Sequence, residues 1–250
     1  MNNTKVVVYQ ATHAQKCVPY ASFVIPIQVG AKLSEDHFEK VTDASGDNIS
    51  ELNGKYCELT AIYWAWKNDC YNIVGLCHYR RIFKLKDQKK IINILNEYDI
   101  ILPKPYYYRI DLEKEYIASH IKEDYDILMD ILKNYYNEYY NTAKNVFSNN
   151  KIYPYNMFIM KKEMFDSYCN WIFDVLDKVD SKIDITHRTS YQKRYLGFLA
   201  ERLFTIYVVH NNLHCYHSSI TYSSKRLYSK KVAIYSYINH IIFRLRWRKA

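Results

Sequence analysis

The clearest indication of the fold class is the stretch Tyr71-Asn-Ile-Val-Gly-Leu-Cys-His-Tyr-Arg-Arg81. Its first seven residues are mostly apolar, which is typical of a short strand buried on both faces of a sheet. Polar and basic side chains follow directly, from His78 to Arg81. Because ligands of open α/β sheets bind beyond the carboxyl ends of the strands, this stretch predicts a binding site at the end of a buried strand.

Strand and helix patterns alternate on both sides of this stretch. Extended patterns are found at residues 5–9, 22–29, 98–102, 156–160 and 213–217. Helical patterns are found at residues 56–66, 89–97, 111–149, 165–176 and 190–210. Pro26 argues that the second extended segment is an edge or irregular strand, since proline cannot donate to a neighbouring strand. The alternation predicts an α/β domain over residues 1–220, with a mixed, mostly parallel central sheet flanked by helices.

Length and composition fit one large globular domain. The chain has 250 residues, of which 49% are hydrophobic and 24% are charged, so it can bury a sizeable core and disorder is not expected. No uninterrupted apolar run approaches the roughly 18 residues of a spanning helix, which argues against a transmembrane protein. The first residues show no basic stretch followed by an apolar segment. No signal peptide is therefore expected, and a cytoplasmic location is predicted.

Glycines and cysteines are spaced in a way that argues against several cofactor sites. The five glycines form neither a dinucleotide-binding G-x-G-x-x-G pattern nor a P-loop. The six cysteines include no C-x-x-C pair, which indicates reduced thiols rather than disulfides or structural zinc. His210, His214, Cys215 and His217 pass from a helix pattern to a strand pattern. Their side chains are expected on different faces, so no metal site is predicted there.

Basic charge is concentrated at the carboxyl end of the chain. The formal net charge is +9, yet the last acidic residue is Glu201, and nine basic residues follow from Arg202 onward. Residues 1–201 therefore balance, with 26 Lys or Arg against 26 Asp or Glu. A neutral body with a basic end argues against a surface that grips nucleic acid throughout, and it favours docking of that end on an anionic partner.

Residues 221–250 are predicted to be this docking segment. Ile238, Ile241, Ile242 and Leu245 fall on one stripe of a predicted helix. The segment also contains a tryptophan and several basic residues, among them Lys225, Arg226, Lys230, Lys231 and Trp247. This pattern is typical of a helix that lies in an anionic membrane surface. A terminal helix packed on the domain, with its basic face in water, is the alternative.

A diphosphate can be held by metal-binding aspartates or by basic side chains. The Asp-x-Asp pattern of this chain, Asp124-Tyr-Asp126, opens a helix pattern, where acidic residues stabilise the helix dipole. It therefore does not predict a metal site, and no metal or other cofactor is predicted. The end of the buried strand carries Arg80 and Arg81, whose guanidinium groups fit a diphosphate without a metal ion. A surface ion pair is the other interpretation of these two arginines.

Six blocks of sequence support a more specific identification. They are Pro26-Ile-Gln-Val-Gly-Ala31, Gly46-Asp-Asn-Ile-Ser50, Tyr56-Cys-Glu-Leu-Thr-Ala-Ile-Tyr-Trp-Ala-Trp-Lys-Asn68, Gly75-Leu-Cys-His-Tyr-Arg-Arg81, Asn156-Met-Phe-Ile-Met-Lys-Lys162 and Leu199-Ala-Glu-Arg-Leu203. In this order they resemble the bacterial DUF4422 family of capsule and exopolysaccharide glycosyltransferases. The resemblance implies a GT-A-like fold and transfer of a hexosyl unit, galactose in pyranose or furanose form, from a UDP-sugar. It also implies a lipid-linked capsule, exopolysaccharide or O-antigen acceptor. Together with the basic tail, this predicts a peripheral position on the inner face of the cytoplasmic membrane.

The resemblance assigns the donor site to three places. The first strand is followed by Thr12 and His13, a polar loop contains Gly46, Asp47 and Asn48, and the buried strand is followed by His78, Tyr79, Arg80 and Arg81. The residues of the first two places also have an ordinary structural explanation. Threonine, histidine, aspartate and asparagine are common turn residues, and glycine supplies positive φ angles.

A carboxylate that takes the proton of the acceptor hydroxyl is needed for an inverting transfer, and the sequence leaves inverting and retaining mechanisms open. The catalytic candidates are Glu201 and the pair Glu123 and Asp124 beside His120, followed by Asp47. Glu58 interrupts an apolar helix pattern. Because an ionised carboxylate is costly to bury without a partner, we expect it to pair with Arg80 or Arg81.

A different class of function stays open on sequence alone. Tyrosines cluster at residues 106–108 and 135–140, so a non-enzymatic nucleic-acid-binding module that uses the basic tail and these tyrosines is the alternative. Such a module would mix basic residues with exposed aromatic residues over its binding face. Here the basic excess is confined to the tail, which favours the transferase. Glycoside hydrolysis is a minor option, since no local carboxylate pair has a recognisable signature.

Overall fold

The computed structural model describes residues 4–13, 17–222 and 228–247, with side chains described for all of these except 228–231, 246 and 247. The strands are β1 Val6–Thr12, β2 Val24–Gln28, β3 Val41–Thr42, β4 Ile73–His78, β5 Arg81–Phe83, β6 Ile100–Pro103, β7 Tyr106–Tyr107, β8 Lys151–Ile152, β9 Phe158–Lys161, β10 Cys215–Ser218 and β11 Ile220–Tyr222. The helices are α1 Asn53–Tyr56, α2 Leu59–Asn68, α3 Gln88–Glu97, α4 Leu112–Ser119, α5 Lys122–Tyr135, α6 Asn137–Phe147, α7 Lys162–Asp180, α8 Tyr195–His210 and α9 Tyr228–Trp247.

The central sheet has the order β10-β6-β9-β4-β1-β2-β3, with β5 beside the end of β4 and β11 beside β5. Strand β1 pairs in parallel with β2 and β4, β2 pairs in parallel with β3, and β6 pairs in parallel with β10. Strand β9 lies between β4 and β6 and is antiparallel to both. The predicted mixed and mostly parallel sheet is confirmed. The carboxyl ends of β1, β2, β4, β6 and β10 therefore share one edge with the chain that enters β9.

Successive side chains along each strand point to opposite faces of the sheet and pack into a hydrophobic core on each face. On β1, Val7 and Tyr9 face one core while Val6 and Val8 face the other. The first core is filled by α2 and by α4 to α8, and the second is filled by α3 and the β5 segment. Both faces are covered, which explains why the strands read as nearly continuous apolar runs.

The helix predicted over residues 56–66 is interrupted, so this prediction is wrong in its details. Helix α1 ends before Cys57, which has a φ of 53°, and α2 begins after Glu58. The side-chain amide of Asn53 donates to the carbonyl oxygen of Cys57 at 2.7 Å and stabilises this break. Gly197 of α8 allows close approach there, since a Cβ at that position would lie 2.9 Å from the Cys57 sulfur. Glu58 consequently precedes a helix instead of lying inside one.

Two further details differ from the sequence-based expectations. Strand β2 pairs with β1 on one side and with β3 on the other. Because β3 pairs only with Ile27 and Gln28, Pro26 has no neighbouring strand on the β3 side. This position explains why a proline is tolerated in a strand that is not an edge strand. The expected domain boundary after residue 220 falls inside β11, which pairs with β5 and so extends the sheet beyond it.

Helix α9 packs on β7 along one side. The backbone N–H of Tyr107 donates to the Ser236 hydroxyl at 2.8 Å, the Asn239 amide donates to the Tyr107 carbonyl at 3.2 Å, and the rings of Tyr107 and His240 lie 4.2 Å apart. Another side of α9 exposes four aliphatic side chains, which we call the apolar stripe: Ile234, Ile238, Ile241 and Leu245.

The tail prediction is only partly covered by the described residues. Ile242, which was expected on the exposed stripe, is half-buried. Lys225 and Arg226 lie outside the described residues, as do the side chains of Lys230, Lys231 and Trp247. Within the described part of the chain, none of the helices combines the length and apolar character needed to cross a membrane.

Candidate active site

A cleft of about 680 Å³ opens at the sheet edge where β1, β2 and β4 end, and we call it the arginine cleft. His13 enters it from the end of β1 and His78 from the end of β4. The break between α1 and α2 contributes Cys57 and Glu58, and the turn Pro154–Asn156 before β9 contributes Tyr155. The polar residues at the end of the Tyr71–Arg81 stretch, where a binding site is predicted, therefore line a cleft that six separate segments of the chain build.

Three guanidinium groups line the arginine cleft. Arg80 lies in the turn between β4 and β5, Arg81 begins β5, and Arg194 immediately precedes α8. The guanidinium carbon of Arg81 lies 4.0 Å from the centre of the Tyr155 ring, a cation–π contact that fixes the group in place. Its buried Nε has no hydrogen-bond partner among the described residues. This N–H is a free donor, in contrast to most buried polar atoms.

His13 lies beside these arginines without adding to their charge. Its ring packs edge-on against Tyr79 at 5.4 Å, and the Arg80 guanidinium lies 4.8 Å from the centre of the same tyrosine ring. Burial, together with the nearby charges of Arg80 and Arg194, lowers the pKa of His13. The neutral ring can donate or accept one hydrogen bond in the cleft at neutral pH.

Two carboxylates, Glu58 and Glu201, line the same cleft. An oxygen of Glu201 accepts a hydrogen bond from the backbone N–H of Tyr155 at 2.9 Å, and the other lies 3.6 Å from the Arg202 guanidinium. Burial raises the pKa of Glu201, the Glu58 charge adds to this, and Arg202 opposes it. Glu58 accepts from the side-chain amide of Asn156 at 2.9 Å. The expected ion pair of Glu58 with Arg80 or Arg81 is absent from the described residues, where the amide takes that place.

The backbone at Tyr155 holds several of these groups together. Its N–H donates to Glu201, and its carbonyl oxygen accepts from the His78 ring nitrogen Nε2 at 2.6 Å, so that nitrogen carries the proton. Tyr155 and Asn156 have φ angles of 75° and 50°, which are unfavourable for residues with a side chain. Strain of this kind is retained where surrounding contacts fix the backbone, and it concentrates at functional sites.

Cys57 lines the cleft as a structural thiol. The Arg194 side-chain Nε donates to its sulfur at 3.2 Å, while burial raises the pKa of the thiol to about 11. A thiol that stays protonated at neutral pH is a weak nucleophile. Cys57 therefore positions Arg194 and is not a candidate for covalent catalysis.

The structure does not bring Thr12 or the polar loop to the wall of the cleft. Thr12 is the buried last residue of β1. In the loop, the Asp47 backbone N–H donates to the Asn68 side chain at 3.2 Å, and the Asn48 amide donates to the Gly46 carbonyl oxygen at 2.8 Å. These contacts fold the loop against the end of α2.

One residue of this loop region supports the cleft indirectly. The buried carboxylate of Asp43 accepts from the backbone N–H groups of Gly30 and Ala31, at 2.8 and 3.1 Å, and from the hydroxyl of Ser50. Gly30 has a φ of 66°, which makes this sharp turn possible. The turn directly follows Val29, which lines the arginine cleft.

Glu123, Asp124 and His120 lie away from the arginine cleft. Asp124 is buried and accepts two hydrogen bonds from Arg188, at 2.6 and 3.0 Å. Glu123 is exposed in the first turn of α5. The ring of His120 stacks on Phe198 at 4.2 Å, and burial with the Arg202 charge lowers its pKa to about 4. Of the candidate bases, Glu201 is the one that the fold places beside the arginines.

Among residues 4–13, 17–222 and 228–247 there is no cluster of three or more His, Cys, Asp or Glu side chains that could hold a metal ion. The histidines considered in the sequence contact separate aromatic rings: His210 stacks on Tyr139, His214 on Tyr98 and His217 on Tyr153.

Sequence reasoning missed Tyr155, Ser190, Arg194 and Asn53 as residues of the cleft. Tyr155 was hidden because it immediately precedes Asn156, where the predicted strand begins, and a positive φ at tyrosine has no sequence signal. Ser190 and Arg194 come from the far end of the chain, and Asn53 from the start of α1. The sequence gives no signal for these positions, since Ser190 and Arg194 fall within the helix pattern of residues 190–210.

The sequence matches one family over most of its length. A profile of the family described as "Domain of unknown function (DUF4422)" matches residues 7–212. The protein therefore belongs to the DUF4422 family. No curated protein sequence matches the chain significantly.

A solved structure resembles the fold closely. The apo structure of WbbM, described as a bifunctional glycosyltransferase, superimposes with a TM-score of 0.77 and shares 27% sequence identity. The comparison covers 88% of this chain but 46% of the WbbM chain, so the protein spans less than half of that larger protein. The mixed sheet and flanking helices are thus shared with part of a chain that is described as a bifunctional glycosyltransferase.

Proposed function

We propose that this protein is a glycosyltransferase that moves a hexosyl unit from a UDP-sugar to a lipid-linked saccharide. The observation that carries the proposal is the arginine cleft, in which three guanidinium groups and the Glu201 carboxylate line one volume of about 680 Å³. Membership of the DUF4422 family and the likeness to WbbM support the reaction class. Galactose, in pyranose or furanose form, is the donor sugar that we propose first.

Arg80, Arg81 and Arg194 suit the diphosphate of such a donor. When the bond between the anomeric carbon and the phosphate oxygen breaks, negative charge collects on the departing diphosphate. Fixed cations in a half-enclosed site stabilise that charge without having to reorganise. Guanidinium groups also bind phosphate oxygens in pairs, through parallel N–H donors. We propose that the three arginines perform this role without a metal ion.

Glu201 suits the role of general base. The acceptor hydroxyl oxygen forms the new bond to the anomeric carbon, and the proton of that hydroxyl passes to the Glu201 carboxylate. A raised pKa makes a carboxylate a stronger base, and the burial of Glu201 raises it. Its hydrogen bond from Tyr155 fixes one oxygen, and the other oxygen lies 3.6 Å from the Arg202 guanidinium. Asp124, Glu123 and His120 take no part in the proposed step.

The direct test uses the purified full chain and two kinds of ligand. Because a ligand that binds the folded state stabilises it, millimolar UDP or UDP-galactose is expected to raise the melting temperature. A short single-stranded oligonucleotide at moderate salt is expected to leave it unchanged. A panel of UDP-sugars with a lipid-linked saccharide then identifies the product by mass spectrometry. Stabilisation by the oligonucleotide, with none by UDP, would favour the nucleic-acid-binding module instead.

We further propose that α9 holds the protein on an anionic membrane. The apolar stripe is exposed, and the basic excess of the whole chain lies after Glu201. Apolar area and basic charge act together in interfacial binding, and each basic group near an anionic leaflet contributes about 1 kcal/mol. This arrangement would bring the cleft close to an acceptor that is anchored in the same membrane.

Liposome flotation tests the docking of α9. The full chain is expected to float with vesicles that contain anionic lipid and to be released by high salt. The Ile238→Ser/Ile241→Ser variant is expected to lose most of this binding. The matched control is Val18→Ser/Leu33→Ser, which removes two exposed apolar side chains elsewhere. Equal flotation of the two variants, or vesicle binding by the full chain that does not depend on salt concentration, would contradict the proposal.

A further inference from the structure

A second cavity, of about 650 Å³, opens at the same edge of the sheet where β6 and β10 end. Five tyrosines line it, and we call it the tyrosine cavity: Tyr106, Tyr107, Tyr155, Tyr222 and Tyr237. The sheet order explains its position. Strand β9 separates β4 from β6, so the residue that enters β9 at this edge lies between the two cavities. Tyr155 accordingly lines both of them.

The tyrosine cavity is basic. Lys84 follows β5 and Lys104 follows β6, both are exposed, and no carboxylate is found among the described residues that line the cavity. Neither lysine forms an ion pair with a described residue. Burial, with the charges of Lys151 and Lys104, lowers the pKa of His217 in the cavity wall. The cavity therefore favours an anionic group, and it differs from the arginine cleft in having no acid of its own.

The walls between these lysines suit a sugar ring. Pro103, Pro105 and Pro154 give rigid apolar surfaces, and the tyrosines present flat faces with a hydroxyl at one end. Ser218 and Ser219 add hydroxyl and backbone groups at the end of β10. Flat aromatic faces with a few polar groups are a surface on which the apolar side of a sugar can lie while its hydroxyls are hydrogen-bonded.

Helix α9 closes one side of the cavity and continues beyond it. Val232, Ala233, Ser236 and Tyr237 line the cavity. At 100° per residue, Tyr237 stands between this lining side and the apolar stripe, so the two surfaces are continuous around the helix. The exposed Arg244 lies near the cavity as well, since its charge acts on Tyr107 and His240. An apolar track thus leads from the basic cavity along the outside of α9.

We propose that the tyrosine cavity is the acceptor site, and that it binds an amphiphile composed of a saccharide, a phosphate or diphosphate group and a hydrocarbon chain. Lys84 and Lys104 hold the phosphate groups, the tyrosines and prolines hold the sugar, and the apolar stripe of α9 receives the hydrocarbon chain. The sugar end then points towards Tyr155, beyond which Glu201 lies in the arginine cleft. This inference rests on the proposed function, because it assigns the second substrate of the same reaction.

Farnesyl diphosphate is a soluble probe with the same head and tail chemistry. Its binding to the full chain is measured calorimetrically in the presence of saturating UDP, which occupies the arginine cleft. We expect binding under this condition. The Lys84→Gln/Lys104→Gln variant is expected to weaken it at least tenfold while UDP affinity stays unchanged. The matched control, Lys90→Gln/Lys133→Gln, removes two exposed lysines that line neither cavity and is expected to have no effect.

Two comparisons separate the head from the tail of the probe. Inorganic pyrophosphate is expected to bind more weakly than farnesyl diphosphate but to depend on the same two lysines. The Ile238→Ser/Ile241→Ser variant is expected to bind farnesyl diphosphate more weakly and to bind pyrophosphate with unchanged affinity. The Arg80→Ala variant is expected to bind UDP more weakly and to bind farnesyl diphosphate with unchanged affinity.

The outcomes distinguish this inference from the proposed function. If UDP displaces farnesyl diphosphate, or if the double lysine change does not weaken it, the acceptor site is wrongly placed although UDP binding stands. If the chain does not bind UDP, the proposed function fails, and binding of farnesyl diphosphate that depends on Lys84 and Lys104 would still support the cavity as an amphiphile site. Equal melting temperatures of the variants exclude misfolding as the cause.

Discussion

Glu201 and Tyr155 are joined by a hydrogen bond of 2.9 Å, in which a backbone N–H donates to the carboxylate across 46 positions of sequence. The residue that donates has a φ of 75°, so the bond depends on an unusual backbone conformation. The carboxylate in turn belongs to α8, whose buried face anchors it in the larger core. The candidate base is thus oriented by a strained residue that precedes the central antiparallel strand.

Glu201→Gln is expected to reduce kcat by about 10²-fold to 10⁴-fold, as removal of a general base does. Burial raises the pKa of Glu201, so the acidic limb of the kcat/KM profile is expected above the ordinary glutamate pKa of about 4.3. The variant is expected to lose this limb. Near-normal kcat in Glu201→Gln would indicate a retaining mechanism or another base.

The same change is expected to stabilise the fold at neutral pH. Because the carboxyl pKa is raised in the folded protein, the folded state holds its proton to higher pH than the unfolded state does. Stability is therefore full below the unfolded pKa and is lost as pH rises through the folded value. In urea unfolding, the free energy of unfolding of Glu201→Gln should exceed that of the natural protein at pH 7.5 and equal it near pH 4. The reverse order at pH 7.5 would contradict the raised pKa.

Arg80→Ala and Arg81→Ala are each expected to lower transfer by about 10²-fold or more, as loss of a group that stabilises developing charge does. Arg81→Lys is expected to restore little, because an ammonium group cannot reproduce the fork geometry of guanidinium or its contact with the Tyr155 ring. Activity is measured with and without EDTA. Natural activity in both alanine variants, together with complete loss in EDTA, would place the diphosphate elsewhere.

Asp124→Asn is expected to destabilise the protein by about 3 kcal/mol without changing kcat per folded molecule. The Asp124 and Arg188 side chains are only 2% and 7% exposed, and removal of one partner leaves a buried charge unpaired. The control is Asp126→Asn, which breaks an exposed pair with Lys122 and is expected to cost less than about 1 kcal/mol. A large loss of kcat in folded Asp124→Asn would instead indicate that Asp124 takes part in catalysis.

Gly75→Ala is expected to destabilise the central sheet by about 1 to 3 kcal/mol. A Cβ on Gly75 of β4 would lie 2.7 Å from the carbonyl oxygen of Phe158 and 2.8 Å from a side-chain carbon of Ile159, both in β9. Gly54→Ala is the matched control, since no atom lies within 4 Å of its added Cβ and it lies in α1. It is expected to be neutral or to stabilise by up to about 1 kcal/mol. Chemical denaturation of both variants decides the comparison.

Patterns within one segment of sequence were enough to predict those site residues that lie together in that segment. The apolar run before His78 predicted β4, and its position predicted that Arg80 and Arg81 would line a cleft at the sheet edge. The acid Glu201 was predicted as a base candidate and lies in that cleft. The positions of these side chains could be predicted because strand periodicity and the edge at which parallel strands end are local or topological properties, whereas their roles stay predictions.

The remaining parts depend on contacts between distant segments. Asp124 was a candidate base because nothing in the sequence near it indicates its partner Arg188, which is 64 positions away. Glu58 looked like a charge inside a helix because the break at Cys57 occurs without glycine or proline. The roles of Tyr155 and Arg194 follow from the placement of β9 and α8 at one edge, which a list of strands and helices does not specify.

A single tyrosine wall between two cavities has a thermodynamic consequence. Whatever factor a bound nucleotide contributes to acceptor affinity through Tyr155, the acceptor must return the same factor to nucleotide affinity. The Arg81 guanidinium packs on the Tyr155 ring. An anion that shifts this guanidinium group would therefore also change the packing of the ring between the two cavities. If both substrates bind as proposed, the size of this shared factor depends on the Tyr155 ring and on the arginine packed on it, and a change of side-chain volume at position 155 is expected to alter it.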